Sequence, residues 1–352
     1  MTKSNDDDST WNAFRRAARK PVRLSPGEMI TRRHLDEDRP FPLVVQPRVD
    51  NLSLPDWALN NRSEIASDLG KYGAILFRGF NLKSVSEFDR FIRSVSGEAL
   101  TYHERSSPRS QIQGQIYTST DYPADKSIFL HNEQSYNLIF PMKIFFFCLQ
   151  AARERGATPI ADTRRVFGRI PPEIRERFMK RKYMYVRNFG AGFGLAWPEA
   201  FQTAHRSAVE NYCRANQIAY EWKPGDGLRT RQVREVAARH PQTGETVWFN
   251  HLTFFHLSTL DRQIREEVTA AFAEEDLPNN TYYGDGERVE AEVMECLRAA
   301  YEQEQVRFDW SAGDVLMLDN MLAAHGREPY VGERSVAVGM AEPQSWDRVF
   351  RS

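Results

Sequence analysis

The sequence predicts an α+β fold with a mainly β core, a jelly-roll barrel decorated by helices. Short apolar runs that are typical of strands recur from about residue 42 to residue 340. Apolar residues at helical spacing are grouped near the front of the chain and in two later blocks. The chain has 352 residues, which is enough to bury one large core.

The predicted organisation is one large domain preceded by an arm. Residues 1–38 are expected to form an N-terminal arm that is partly mobile, and residues 39–352 a single jelly-roll domain with helical insertions at about 172–216 and 259–304. Within the arm, residues 11–20 combine four basic side chains with Trp11 and Phe14, as in a short amphipathic helix. This helix either packs on the domain through its aromatic residues or docks a partner such as an acidic carrier protein.

The front of the chain alternates strands and helices. Strands are predicted at residues 42–46, 73–79 and 116–118, and helices at 62–71 and 84–96. Ser84 is placed to cap the second helix. Residues 102–126 are rich in Ser, Thr, Gln and Pro and are predicted to be mostly loop. Such a segment either contacts a substrate or simply connects two strands.

The rear of the chain contains the remaining strands and both helical blocks. Strands are predicted at residues 143–149, 183–188, 313–318 and 334–340, a hairpin-like turn at 239–245, and helices at 172–182, 199–216, 261–274 and 288–303. Residues 190–194 are glycine-rich, but their spacing matches neither nucleotide-binding motif. This segment is either a mobile lid that carries Trp197 or an ordinary loop.

Composition narrows the class of protein. Apolar residues make up 41% and aromatic residues 12%, which is typical of a globular protein. The net charge of −1 provides no field that would attract nucleic acid or a membrane. No run of about 18 apolar residues occurs, and the acidic start is unlike a signal peptide, so a cytoplasmic location is expected. Three cysteines without a CxxC pair predict reduced, buried thiols.

One short motif is a candidate for metal binding. His131 and Glu133 follow the apolar run at 128–130, and on a strand residues two apart point to the same face. His325, far downstream, is the candidate for a third ligand. Two histidines and one carboxylate with open positions opposite them suit non-haem Fe(II) and oxygen chemistry.

The His-x-acid spacing is weak evidence by itself. At ordinary acidic usage, about one such match is expected by chance in a chain of this composition. His34 and Asp36 form a second match, within the charged run at 31–40. Because this run lacks alternation and ends in proline, we interpret it as a solvated loop.

The pair His131 and Glu133 is significant because it belongs to a set of four motifs that follow one another along the chain. They are His131-Asn-Glu133, Gly156-Ala-Thr158-Pro-Ile-Ala-Asp162, Gly313-Asp-Val-Leu-Met-Leu-Asp319-Asn320 and His325-Gly-Arg-Glu-Pro-Tyr-Val-Gly-Glu-Arg334. Over about residues 40–345 they resemble the taurine dioxygenase (TauD/TfdA) superfamily of Fe(II)- and 2-oxoglutarate-dependent oxygenases. They are most similar to its His-x-Glu branch, which is typified by the aspartyl-thioester hydroxylase of syringomycin biosynthesis.

The resemblance implies a fold and a set of site residues. It implies a double-stranded β-helix in which His131, Glu133 and His325 hold Fe(II). Arg334 would bind the far carboxylate of the cosubstrate 2-oxoglutarate, and Thr158 would share it. A guanidinium offers a planar fork of donors to a carboxylate, and a hydroxyl adds one more. Arg327 is the rival for this role; otherwise it is expected to pair at the surface with Glu328 or Glu333.

The resemblance also implies a reaction. Hydroxylation of an unactivated carbon, with O2 consumed and succinate and CO2 released, is the expected outcome, while desaturation, epoxidation and cyclisation remain open. Glu133 disfavours halogenation, since halogenating relatives lack the ligating carboxylate. The substrate is expected to be an amino acid, free or tethered as a thioester to a carrier protein, in natural-product biosynthesis.

Five residues are expected to contact the polar head of such a substrate: Thr118, Ser119, Gln134, Trp197 and Asn250. His251 and His256 are expected to serve packing or substrate contact, because at five residues apart they cannot share a strand face. Two alternatives stand beside the biosynthetic hydroxylase. One is a catabolic oxygenase of a small sulfonate or carboxylate, and the other is a non-catalytic jelly-roll binding protein. The open metal site argues against the latter, because structural sites are closed by a fourth protein ligand.

Overall fold

The computed structural model describes residues 26–100, 110–118, 122–190 and 195–349. The predicted helix at 11–20 lies outside these ranges. The strands, numbered in chain order, are β1 (Ile30–Asp36), β2 (Arg39–Pro47), β3 (Ala74–Phe77), β4 (Gln111–Gln113), β5 (Ile116–Thr118), β6 (Ile128–His131), β7 (Ile139–Gln150), β8 (Glu154–Arg155), β9 (Ile160–Asp162), β10 (Tyr183–Phe189), β11 (Ala219–Lys223), β12 (Gly227–Arg234), β13 (Ala237–Arg239), β14 (Thr246–Trp248), β15 (Asn279–Tyr283), β16 (Gln305–Val306), β17 (Val315–Asp319), β18 (Ala323–Arg327), β19 (Tyr330–Val331) and β20 (Ser335–Ser345). The α-helices span Leu54–Asn60, Arg62–Tyr72, Val85–Ser96, Thr163–Arg169, Pro172–Arg181, Trp197–Ala200, Arg206–Ala215, Leu252–Phe255, Arg262–Ala271, Ala291–Glu304 and Trp346–Val349.

Two sheets form the predicted mainly β core. The larger has eight strands in the order β1-β2-β3-β17-β7-β20-β5-β4, and the smaller has four in the order β16-β9-β18-β6. An apolar cluster joins them, with Phe146 and Leu316 from the larger sheet and Ile160 and Ala323 from the smaller one. The predicted jelly roll with helical decoration is therefore confirmed.

The front helices cover the outer face of the larger sheet. Alternation along β7 sends Phe145 and Phe147 outward to these helices and Phe146 inward to the barrel. Phe88 from the helix Val85–Ser96 stacks on Phe147 with ring centroids 5.3 Å apart. The predicted cap is confirmed, since the Ser84 hydroxyl accepts the Glu87 N–H at 3.2 Å. The inner face of the larger sheet therefore lines the interior of the barrel.

A separate four-stranded antiparallel sheet, in the order β11-β12-β10-β15, takes strands from both predicted insertions and from the segment between them, and we call it the insertion sheet. β10 lies in the block at 172–216, where a strand was predicted, and β15 lies in the block at 259–304, where it was not. β11 and β12 lie between the two blocks. Tyr185, on one face of β10, stacks on Phe255 at 4.1 Å with nearly parallel rings. Because β15 is short and pairs only with a strand distant in sequence, helical spacing around it dominates the local pattern.

The boundary at residue 38 and the loop at 31–40 are corrected. β1 pairs with β2 in a hairpin that runs from Ile30 opposite Pro47 to Asp36 opposite Arg39. The first residues of the large sheet therefore fall within the predicted arm. β1 is the edge strand of its sheet, where charged side chains are expected because they discourage pairing with another chain. This explains why its charged run was taken for a loop.

Two further expectations concern helices and cysteines. No helix in the described ranges is long and apolar enough to cross a membrane. Cys148 and Cys213 are buried as expected, whereas Cys296 is only partly buried. The predicted helix at 199–216 is two helices, Trp197–Ala200 and Arg206–Ala215, separated by a turn.

The close approach of β6 and β18 depends on one glycine. His325 on β18 lies opposite His131 on β6, and the register shifts before Arg327 pairs with Ile128. A Cβ added at Gly326 would lie 2.6 Å from Ile128 O. Real Cβ atoms do not approach a backbone oxygen that closely, so any other residue would push the two strands apart.

Gly326→Ala is therefore expected to displace β6 from β18 and to lower the free energy of unfolding by about 1–3 kcal/mol, as over-packing does. Denaturant unfolding measures the change. Gly168→Ala is the matched control: in the described part of the chain nothing lies within 4 Å of an added Cβ there, and alanine in a helix gains up to about 1 kcal/mol over glycine. Equal losses in the two variants would contradict the close approach.

Candidate metal centre

Three side chains converge where β6 runs beside β18. One ligand atom from each of His131, Glu133 and His325 can be chosen so that all lie within 4.8 Å of one another. The imidazole rings of the two histidines are 4.5 Å apart between centroids, and Glu133 Oε2 lies 3.9 Å from His325 Nε2. Exposed fractions of 9%, 2% and 4% leave little room for bulk water. Two imidazoles and one carboxylate in this arrangement fit a divalent iron site.

Glu133 reaches this cluster from a turn, which corrects the expected strand geometry. β6 ends at His131, and residues 133–136 form a turn. Asn320 holds that turn: its Oδ1 accepts the Glu133 N–H at 2.8 Å, and its Nδ2 donates to Glu133 O at 2.9 Å and to Pro141 O at 2.8 Å. Asn132 Nδ2 donates to Asn320 O at 2.6 Å. The carboxylate is therefore placed by an asparagine from the turn between β17 and β18.

The residue before Asn320 fixes the same turn. Asp319 Oδ1 accepts the N–H groups of Met321 and Leu322 at 2.9 and 3.1 Å. Its Oδ2 accepts from Nε2 of the buried His240 at 3.0 Å. His240 Nδ1 accepts two backbone N–H groups, so the ring proton lies on Nε2. The hairpin of β13 and β14 thus supports the turn that carries Asn320.

Hydrogen bonding also sets which nitrogen of His131 faces the cluster. His131 Nδ1 lies 2.9 Å from Phe129 O. Because a carbonyl can only accept, Nδ1 carries the proton and Nε2 is left to bind a metal. Aromatic rings flank both histidines: Phe254 lies 4.5 Å from the His131 ring and Phe146 lies 5.0 Å from the His325 ring, centroid to centroid. These contacts hold the imidazoles in place.

His251 is a buried neighbour of the cluster. Its ring lies 5.4 Å from that of His131, and its Nδ1 lies 2.7 Å from Ser135 Oγ. Burial, and to a smaller extent His131, lowers the pKa of His251 well below its ordinary value, so the ring is neutral at pH 7. His256 bonds Ser258 Oγ through Nδ1 at 2.8 Å, and burial lowers its pKa to about 4. Both histidines lie on the segment between the two insertions, and whether they serve packing or substrate contact stays a prediction.

Thr158 and Arg334 meet at a second polar site in the barrel. Arg334 Nε donates to Gly156 O at 2.9 Å, and its Nη2 donates to Thr158 Oγ1 at 3.3 Å. Trp310 Nε1 donates to the same hydroxyl at 3.0 Å. Burial, with repulsion from Arg327, lowers the pKa of Arg334 to about 10, which leaves it charged at neutral pH. A buried guanidinium beside a hydroxyl is suited to a carboxylate.

Arg327 has a different partner from those expected. It is 6% exposed and donates to three backbone carbonyls, those of Tyr122, Pro123 and Lys126. It therefore fastens the loop that leads into β6. These bonds replace the expected surface ion pairs with Glu328 or Glu333, because Arg327 is buried against the loop before β6 and is not at the surface.

The expected substrate residues are spread over several places. Thr118 pairs with Ala337 and shares the outward face of β5 with Ile116, while Tyr117 faces the barrel interior. Strand alternation therefore removes Thr118 from the interior. Ser119 lies outside the described residues. Gln134 is buried in the turn directly after Glu133, with φ of 54°.

Trp197 and Asn250 have local structural partners. Trp197 is 5% exposed in an apolar cluster of the first insertion, and its indole N–H donates to Asp226 O at 3.1 Å. Trp197 therefore packs in a local core, while residues 191–194 of the segment predicted to be a lid or a loop lie outside the described residues. Asn250 Nδ2 donates to Val236 O at 2.8 Å, and its Oδ1 accepts the Leu252 N–H at 3.0 Å. Its amide thus joins a short helix to the residue before β13, and its role as a substrate contact stays a prediction.

Comparison with known proteins places these features in a family. The family described as taurine catabolism dioxygenase TauD, TfdA family matches residues 37–340. The chain is 42% identical to the dapdiamide synthesis protein DdaC of Enterobacter agglomerans over 275 residues, 78% of this chain and 84% of that protein. It is 27% identical to a clavaminate synthase-like protein of Arabidopsis thaliana over 327 residues, 87% of this chain and 95% of that protein.

Solved structures share the fold. PvcB from Pseudomonas aeruginosa aligns with a TM-score of 0.56 and 15% identity, covering 94% of this chain and 96% of that chain. Another structure of PvcB, described as an Fe, alpha-ketoglutarate dependent oxygenase from an isonitrile synthetic pathway, gives 0.55 at 15% identity and covers 94% and 98%.

The resemblance inferred from the four motifs is confirmed by the family match, which spans most of the chain, and by the relative at 42% identity. The chain belongs to the TauD/TfdA family of Fe(II)- and 2-oxoglutarate-dependent dioxygenases.

Proposed function

We propose that this dioxygenase hydroxylates an unactivated carbon of an amino acid, free or bound as a thioester to a carrier protein, in natural-product biosynthesis. The cluster of His131, Glu133 and His325 carries the proposal, because three protein ligands leave positions for a cosubstrate and O2. The biosynthetic setting is supported by 42% identity to a protein named for dapdiamide synthesis. The cytoplasmic location stays a prediction.

The three residues of the cluster would hold Fe(II). When bound with 2-oxoglutarate and O2, Fe(II) supplies an oxidation in which one oxygen atom enters the substrate C–H bond and the other enters succinate, with release of CO2. His131 would bind through Nε2, because its Nδ1–H donates to Phe129 O. Glu133 would occupy a position that a halide would need, which favours hydroxylation over halogenation.

Other residues would place the two organic ligands. Arg334 and Thr158 would hold the far carboxylate of 2-oxoglutarate through charge-assisted hydrogen bonds. Phe254 and Phe146, packed against the histidine rings, would keep water from the reacting atoms. Among the expected substrate residues, Gln134 is the one we would test first, because it is buried and directly follows Glu133.

A second candidate function is favoured by the description of the matching family, which names taurine catabolism. In this alternative the substrate is a small free sulfonate or carboxylate. The same metal cluster and cosubstrate site would serve both reactions, so only the substrate distinguishes them.

Glu133→Asp is expected to weaken Fe(II) binding by about tenfold or more and to lower succinate formation accordingly. The shorter side chain withdraws the carboxylate, and the turn cannot advance to compensate because Asn320 bonds both Glu133 N and Glu133 O. The charge-transfer absorption of the anaerobic enzyme with Fe(II) and 2-oxoglutarate measures binding. Glu266→Asp, on an exposed helix, is the control. Unchanged binding in the aspartate variant would show that the turn moves.

Asn320→Ala is expected to lower the free energy of unfolding by about 2–4 kcal/mol, because it leaves buried backbone groups without partners. We also expect Fe(II) affinity to fall by about 10–100-fold, as for residues that orient metal ligands. Asn280→Ala, which removes a buried amide that accepts Leu257 N–H, is expected to cost stability alone. If both variants retain the same Fe(II) affinity, Asn320 does not position Glu133.

The substrate class is tested with a panel of aminoacylated carrier proteins and the corresponding free amino acids. The carrier form of the proposal expects a mass gain of one oxygen atom on a carrier-bound aminoacyl group and none on the same free acid. Oxidation of the free acid alone would favour the untethered form. Oxidation only of small sulfonates or non-amino carboxylates would overturn the biosynthetic proposal in favour of the catabolic one.

A further inference from the structure

We propose that Trp310 is a positioning residue for 2-oxoglutarate, because it forces the Thr158 hydroxyl to act as a hydrogen-bond donor toward the cosubstrate's far carboxylate. The inference rests on the proposed assignment of Thr158 and Arg334 to that carboxylate. It gives a role to a residue outside the His131 cluster that contacts the Thr158 hydroxyl.

A threonine hydroxyl has two acceptor positions and one hydrogen to donate. At Thr158 both acceptor positions are used: Trp310 Nε1–H donates to Oγ1 at 3.0 Å and Arg334 Nη2–H at 3.3 Å. Neither an indole nor a guanidinium N–H can accept a hydrogen bond. The hydrogen of the Thr158 hydroxyl must therefore point away from both, toward a third group that accepts. A carboxylate oxygen is an acceptor of this kind.

The surroundings keep Thr158 in this orientation. Its side chain is 3% exposed, and β-branching restricts its rotation about χ1. The backbone on either side is fixed by β18 and the residue after it: Gly326 N–H donates to Pro159 O at 2.9 Å, and Glu328 N–H donates to Ala157 O at 3.1 Å. The hydroxyl is thus carried by a rigid segment that runs beside the strand of His325.

The indole of Trp310 is held from the opposite side. Trp310 is 8% exposed and meets Phe308 edge to face at 5.0 Å between ring centroids. The segment that carries it is clamped by Arg78, which donates to Asp309 O at 2.6 Å and forms a bidentate pair with the carboxylate of Asp314. That carboxylate also accepts the Ser311 N–H at 2.9 Å. The donor that meets Thr158 is therefore a fixed group and not a flexible side chain.

This arrangement has a consequence for cosubstrate binding. Without the indole N–H, one lone pair of Thr158 Oγ1 is free and the hydroxyl hydrogen can rotate among several directions. Part of the binding energy would then be lost to ordering that hydrogen. The effect should fall on cosubstrate affinity, because Trp310 bonds the residue proposed to hold the far carboxylate.

The test is Trp310→Phe, which keeps an aromatic ring and removes the N–H. We expect the KM for 2-oxoglutarate and its dissociation constant from the anaerobic Fe(II) enzyme, measured calorimetrically, to rise about fivefold, the size of one net hydrogen bond. The kcat at saturating 2-oxoglutarate and the affinity for Fe(II) should stay within about twofold of the wild type. Trp222→Phe is the matched control, since Trp222 lies on β11 and its indole N–H also donates to a side chain, at 2.9 Å to Glu210 Oε1.

A double-mutant cycle separates this role from a loss of packing. In a Thr158→Val background, Trp310→Phe should add almost nothing to the dissociation constant, because the hydroxyl through which Trp310 acts is gone. Equal effects of Trp310→Phe with and without the hydroxyl would overturn the inference, as would a fall in kcat with an unchanged KM. If Thr158→Val and Arg334→Met leave 2-oxoglutarate binding unaltered, the assignment of the carboxylate site fails instead.

Discussion

The pairing of His131 with His325 across β6 and β18 is the constraint on which the metal cluster depends. The two residues are direct register partners, so their side chains leave the same face of the small sheet at the same level. A slip of one residue would send one imidazole to the opposite face. Gly326 permits the approach, and Arg327, in the same strand, fastens the loop before β6 through three carbonyls. The strand β18 thus carries His325, leaves the space that β6 needs beside Gly326, and anchors the loop before β6 through Arg327.

The carboxylate depends on a different kind of constraint. Alternation on a strand predicts that His131 and Glu133 share a face, and the two side chains do meet. They meet for a different reason: β6 ends at His131, and Asn320 bonds both backbone groups of Glu133 in the turn that follows. Sequence spacing could find the residues because any compact turn after a strand keeps them close. It could not find Asn320 as the support, since the contact joins segments far apart in the chain.

The difference between local sequence patterns and contacts between distant segments explains which parts of the prediction were correct. The front helices, the strands at 73–79 and 116–118 and the cap at Ser84 follow from local patterns of apolar spacing and side-chain chemistry, and they agree with the structure. The strand β15 was not foreseen because it pairs only with a strand distant in sequence. The backbone partners of Trp197 and Asn250 could not be predicted, because a sequence does not show whether a polar group has a hydrogen-bond partner nearby.

The residues in and around the His131 cluster come from two parts of the fold, the barrel and the segments that decorate it. The barrel carries His131, Glu133, His325, Thr158 and Arg334, whereas the segment at 251–255 carries the rings that pack beside His131. Tyr185 stacks on Phe255, Phe255 stacks on His251 at 4.7 Å, and His251 meets His131 at 5.4 Å. This series of rings connects the insertion sheet to His131, and it includes neither Thr158 nor Arg334. A change in the insertion sheet can therefore alter the wall beside the metal while the chemistry of the barrel stays the same. Such a division is what a fold needs if relatives are to apply one oxidation to different substrates.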